Sequence, residues 1–347
     1  MAGGETGHVR GGAFDVCIGV PDLVEAIAYW ELFGYRVGDI GALDATSADR
    51  LYGHSGALQA VRMWHQKADH GLVRLWQWEN PSGPGLGMAP FRVHGSRWSA
   101  MELDRIARMI AHAKYHAAQG GEVRMFHPDV LPGSGTPMAP FRRELPVAME
   151  MAVVQPLYRQ VLFERADFPS PLYGAVNHDC LMRASQFTHV CVILCGVAAD
   201  AFEFYDRVLG LQRSGDFKLS WADVGSSGKD IFELREGEGF HMFRFDDPRS
   251  EGGVNKRSGR IILFNFSADS ELEDMRIASR PGAWGHSLYS LRVADVEATH
   301  ATAAASGAGA QSDVMVNEFG ERSFVATAPD GTPWCFVASD DTLALAA

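Results

Sequence analysis

Residues 186–211, QFTHVCVILCGVAADAFEFYDRVLGL, carry a single imidazole, His189, inside an apolar, β-branched run. The pattern predicts a strand over 188–194, a turn, and a helix with Phe202, Tyr205, Val208 and Leu209 at helical spacing, stopped by Gly210. One imidazole on a strand backed by a helix is a place to hold a ligand or metal, or to move a proton near neutral pH. A second histidine, His241, stands in another alternating run, GFHMFRFDDP. Earlier in the chain, LVRLWQW at 72–78 puts Arg74 on one face with Leu72, Trp76 and Trp78. A buried guanidinium needs an anion, and Asp15 on the first predicted strand is the nearest candidate.

The element that holds His189 recurs. Residues 14–35, FDVCIGVPDLVEAIAYWELFGY, repeat its order of apolar strand, acidic turn and aromatic-bearing helix. GSRWSAMELDRIARMIAHA from Gly95 and GHSLYSLRVADVEATHATA from Gly285 begin the same way. Four strand–helix starts, near residues 14, 98, 188 and 288, point to internal duplication.

The 347 residues suffice for two domains with a sizeable core. A net charge of −12 argues against nucleic acid or an anionic membrane as partner. Cys17, Cys180, Cys191, Cys195 and Cys335 form no CxxC pair, so they read as reduced thiols in a cytoplasmic protein. No run has export or membrane-spanning character.

Segmentation follows from these signals. A flexible tail is expected over 1–12, a first domain over 13–166, a linker over 167–185 and a second domain over 186–340. The first domain holds predicted helices at 23–33 and 103–118, with strands at 57–64, 72–78, 149–154 and 160–164. The second holds predicted strands at 230–234 and 240–245, and closes on FVATAPDGTPWCF with a turn at 329–331. Long loops at 127–146 and 249–280 are expected to lie over or beside the site. The latter contains an apolar run, 261–266, with no obvious place.

The segments HVCVILCGVAADAFEFYDRVLGL, GFHMFRFDDP, SLYSLRVADVEA and FVATAPDGTPWCF resemble the vicinal oxygen chelate superfamily, the glyoxalase, bleomycin-resistance and extradiol-dioxygenase group. The resemblance covers nearly the whole folded chain and implies an α+β fold: four βαβββ modules in two tandem domains, each a curved sheet forming a cup. In that group, metal ligands sit on the first and last strands of each module. Carried over, those positions fall on His189 and His241 in module three, and on Leu288, with His286 two residues away, and Cys335 in module four. In modules one and two they fall on Asp15, Arg74, Trp98 and Leu162, where Asp15 and Arg74 neutralise each other and leave no cation site.

The resemblance thus implies a metal set of His189, His241 and His286 in the second domain for one divalent zinc, iron or manganese ion, with a metal-free site in which His189 and His241 shift a proton as the alternative. His189, His241 and Tyr289 are the expected catalytic groups. Phe243, Phe245, Leu288, Trp334 and Cys335 are the expected pocket. Cys335 stands where the family usually has a carboxylate, so the leading expectation is non-oxidative acid/base or Lewis-acid chemistry on a hydrophobic, aromatic small molecule. An extradiol-type dioxygenase with an altered metal site and a small-molecule sequestration protein remain open alternatives. The family adds a homodimer as an expectation.

Overall fold

The computed structural model describes residues 9–131, 148–165, 174–250 and 257–339. Module one runs β1 (Val9–Gly19), α1 (Leu23–Glu31), β2 (Tyr35–Leu43), α2 (Ala45–Tyr52), β3 (Leu58–His65) and β4 (Leu72–Trp78). Module two has β5 (Arg97–Leu103), α3 (Ile106–Ala118), β6 (Arg124–Met125), β7 (Asp129–Leu131), β8 (Ala148–Val154) and β9 (Arg159–Arg165). Module three has β10 (Ala184–Cys195), β11 (Gln212–Ser220), α4 (Ser226–Ile231), β12 (Gly239–Asp246) and β13 (Arg260–Phe266). Module four has β14 (Gly285–Val293), α5 (Val296–Ala305), β15 (Met315–Val316), β16 (Arg322–Thr327) and β17 (Pro333–Ala338).

Helix starts are set locally. Asp22 accepts from the amides of Val24 and Glu25 at 2.7 and 3.0 Å, and Asp44 caps α2 at 2.9 and 3.0 Å. The helix predicted after β10 is instead a 3-10 turn, Ala199–Phe202, running into one wider turn, Phe204–Val208. It still buries Phe202 and Tyr205, which stack on Phe243 and Phe245 at 3.9 and 4.9 Å.

The α+β architecture with two curved sheets is as expected, but the partners within each sheet are not. One sheet runs β15-β16-β17-β14-β1-β4-β3-β2 and joins modules one and four. The other runs β11-β12-β13-β10-β5-β9-β8-β6, with β7 on β8, and joins modules two and three. The sequential halves 13–166 and 186–340 therefore do not each close a cup. The hydrogen bonding crosses the boundary, with Cys17 opposite Leu288 and Cys191 opposite Trp98.

The main core lies between the sheets, where helices from all four modules pack. Trp30 of α1 meets Phe187 of β10 edge-on at 5.2 Å. Tyr289 on β14 donates to the carbonyls of Trp98 and Cys191 at 2.9 and 3.0 Å, tying one sheet to the other. Gly12 is required where β1 passes Gly259, since a Cβ there would lie 2.4 Å from its carbonyl oxygen.

Other expectations are corrected. Residues 9–12 belong to β1, while 1–8 lie outside the described residues. The segment 230–234 is not a strand, because α4 runs through Ile231. The loop expected at 249–280 contains β13, so the unplaced run 261–266 is the last strand of module three. Most of the expected loop 127–146, and residues 167–173 of the expected linker, lie outside the described residues. Among the described residues, no helix is long and apolar enough to cross a membrane.

Candidate functional site

Each sheet curves away from the shared core, so the molecule has two outward cups. The cup of modules one and four holds the Asp15–Arg74 pair. Asp15 accepts from Arg74 at 2.8 Å and Arg62 at 3.2 Å, and Ser290 donates to its other oxygen. Arg62 reaches on to Glu321 at 2.7 Å, and Glu318 accepts from Trp76 and Tyr52, each at 2.6 Å. Burial pushes the Asp15 carboxyl up, but Arg74 and Arg62 outweigh it and hold it below its ordinary value. Leu288 and Cys335 share this face, packed with Trp76 and Tyr52. Burial lifts the Cys335 thiol to about 12, which removes it as a nucleophile or ligand. Asp15, Cys17, Arg74, Leu288 and Cys335 are all 0% exposed. This cup is closed by its own side chains.

The cup of modules two and three differs. His189 lies on its floor beside Phe163, ring centroids 5.5 Å apart, with Thr188 Oγ1 3.2 Å from Nδ1. Directly across from it in the parallel β10–β13 pair is Arg260, which binds Asp246 through Nε at 2.5 Å. On the other side, Arg165 pairs with Glu102 at 2.6 Å and lies over the Phe163 ring. Glu150 of β8 stands opposite Phe163 and accepts from Ser227 of α4 at 3.3 Å. Walls of Trp98, Phe240, Phe264 and Ile262 complete an apolar surround. Here His189, Phe163 and Glu102 keep 6%, 8% and 9% exposure. The floor is nearly covered, with Glu150, Arg165, Arg244 and Arg260 half-buried around it.

The electrostatics follow from that mixture. Burial, then Arg260, Arg165 and Arg244, hold the His189 imidazole well below its ordinary value, so it is neutral at pH 7. Burial raises Glu150 to about 7, helped by Asp129 and opposed by the Ser227 hydrogen bond. Burial likewise raises Glu102 to about 7 against the pull of Arg165. A neutral imidazole and carboxyls that titrate near neutrality share one cup.

The expected metal set is not assembled. His241 lies on β12, the third strand of its module, because β13 takes the last-strand place. Its ring packs on Phe243 at 4.0 Å, on the face opposite the cup, and its Nε2 pairs with Asp216 at 2.5 Å. His286 faces the shared core. A bulge at Ser287 breaks the alternation, so that Leu288 opposes Cys17 while His286 opposes Ile18. His286 Nε2 is 3.1 Å from Ser99 Oγ, and burial with Arg159 and Arg97 nearby drives it to about 3. Tyr289, Trp334, Phe243 and Phe245 are core residues, not pocket walls. Among the described residues, no three His, Cys, Asp or Glu side chains converge to hold a metal ion. With Arg74 and Arg260 at the last-strand positions of modules one and three, the described residues of neither cup make a donor set that fits a cation.

Glu102, Glu150, Arg165 and Arg260 were missed by the sequence reading. Their signal was an acid or base alternating with apolar residues, in RWSAMEL and AMEMAVV, within strands assigned no chemistry. His241 has a surface role: His241→Ala is expected to cost less than about 1 kcal/mol in a thermal melt and leave ligand binding unchanged. A large loss of either would return His241 to the site.

Comparison with known proteins agrees with this fold. The Glyoxalase/Bleomycin resistance protein/Dioxygenase superfamily profile matches residues 186–336. A candidate dioxygenase from Bacillus subtilis subsp. subtilis str. 168 superposes with a TM-score of 0.54 at 11% identity, covering 97% of this chain and 87% of that one. Glyoxalase I from Zea mays superposes with a TM-score of 0.50 at 15% identity, covering 98% and 95%. No curated protein sequence matches the chain. The profile match over residues 186–336 makes the C-terminal part of the chain similar to the glyoxalase/bleomycin resistance/dioxygenase superfamily, and the solved structures share its fold over nearly the whole length.

Proposed function

We propose that the chain binds an apolar, aromatic small molecule bearing an anionic or acceptor group in the cup of modules two and three, and moves a proton on it. The observation that supports this is a half-buried Glu150, raised to about 7, and a neutral His189 on the same cup face among aromatic walls. Arg260, Arg244 and Arg165 give that end of the cup positive charge for an acceptor group, and Glu150 is the group suited to give or take the proton. This is an isomerase- or lyase-type reading in which no step passes through a metal.

The test begins with thermal-shift titration of aromatic carboxylates and neutral aromatic ketones. Ligands found are then followed by NMR in D2O for exchange of a carbon-bound hydrogen. His189→Ala is expected to weaken binding about tenfold or more and stop exchange, with little change in melting temperature. Ligand exchange unaffected by His189→Ala would sink the reading. Tight binding of an unchanged ligand, with no exchange in the wild type, would favour sequestration in the same cup.

A further inference from the structure

Outside both cups, at the seam between the sheets, lies a narrow cavity lined by Arg97, Arg276, Arg280, Ser279 and Thr332. Arg97 is 2% exposed, and neither its Nε nor its Nη1 has a hydrogen-bond partner. A buried guanidinium with two unused donors is costly unless something satisfies it. The Tyr289 ring lies 5.3 Å from its guanidinium carbon, a cation–π contact that supplies neither N–H with an acceptor. Asp330 attracts it through space, but that carboxylate already accepts from Tyr205 Oη at 2.7 Å and the Thr332 amide at 2.8 Å. Arg159, buried nearby, directs its guanidinium to the carbonyls of Ala89 and Pro90 at 2.7 and 2.8 Å, and so adds positive charge. Arg276 is held over the Gly331 turn and is offset by Asp274 at 2.6 Å, while Arg280 is exposed at the mouth.

We propose that this cavity binds one small inorganic anion of halide size, clamped between Arg97 and Arg280. Size limits the occupant to a single small species: the cavity's roughly 10 Å³ just admits one water, so a halide fits once the exposed Arg280 side chain gives way at the mouth. Position gives the ion a structural consequence. The cavity draws on β5, β10, the segment before β14 and the turn before β17, and so on modules two, three and four. An anion there would join the two sheets.

Melting temperature is measured in sodium chloride and in sodium gluconate at equal ionic strength, gluconate being too large to enter. Chloride is expected to raise it saturably, by roughly 2–5 °C at tenfold above its Kd. The rise should shrink in Arg280→Ala and vanish in Arg97→Met. Crystals grown with bromide should show an anomalous peak in contact with Arg97, which decides the matter if Arg97→Met does not fold. Equal melting in both salts, a chloride rise that both variants keep, or no bromide at Arg97 would each overturn the proposal and leave a water as the occupant.

Discussion

Arg74→Ala is expected to destabilise the protein by about 3–5 kcal/mol, lowering its melting temperature on the order of 10 °C, while ligand binding in the cup of modules two and three is retained. Arg74 and Asp15 are both 0% exposed and meet at 2.8 Å. Truncating the arginine leaves Asp15 in a dry site with Arg62, Ser290 and the weak Cys17 thiol donor, and leaves Glu318 without its nearest cation. An abandoned buried charge is the expensive outcome; a pair removed as a whole is not. The double variant Asp15→Leu/Arg74→Met should therefore lose less than the sum of the single variants. The pH sign follows from the direction of the Asp15 shift. Its carboxyl is held below its ordinary value, so its contribution is present above about pH 3.8 and fades as pH falls through the lower folded value. Melts of the single and double variants across pH 3–7 check this. Arg74→Ala melting within 1 kcal/mol of wild type would mean that Arg62 alone satisfies Asp15.

The four modules were legible because each start is a strand of β-branched and apolar residues followed by a Gly-stopped turn or helix, as at Phe14 and Thr188. Their pairing was not. Alternation tells which face of a strand is buried, but not which distant edge it will hydrogen-bond, and β1 finds β14 about 270 residues away. His189 was legible as the one imidazole in an apolar strand, and it does reach a cup floor. His286 was misread because a bulge at Ser287 reverses its face, and no residue type there announces a bulge. His241 was misread because the interval between β12 and β13 is long, so GFHMFRFDDP looked like the end of its module. The other half of the His189 cup comes from module two, whose acids sit in strands that appeared to be plain core.

Glu150→Gln is expected to remove a stability change that the wild type shows between about pH 4.5 and pH 7, and to abolish proton transfer to bound ligand. The carboxyl is raised from 4.5 to about 7 in the folded protein. A group whose folded value is raised stabilises fully below its unfolded value, and that contribution is lost as pH rises through the folded one. From pH 4.5 to 7 the wild type should thus lose up to about 3 kcal/mol at this residue. Glu150→Gln should be the more stable protein at pH 8 and gain nothing at pH 4. Glu102 titrates in the same range, so the difference between wild type and Glu150→Gln is the quantity to read, and not either curve alone. Denaturant unfolding at half-unit pH steps measures it, beside the rate of deuterium exchange into ligand. That rate should pass through half its maximum near pH 7 and level off above it in the wild type if Glu150 acts as the base, and stay flat at background in the variant. Parallel stability curves would show that Glu150 ionises normally. A retained exchange rate would show that another group moves the proton. Glu150 weakens the protein as it ionises, since among the described residues Ser227 is its one hydrogen-bond donor and Asp129 opposes its charge. Under the proposed function, a carboxyl held at the edge of neutrality on the same cup face as a neutral imidazole is the group expected to take up and release the proton.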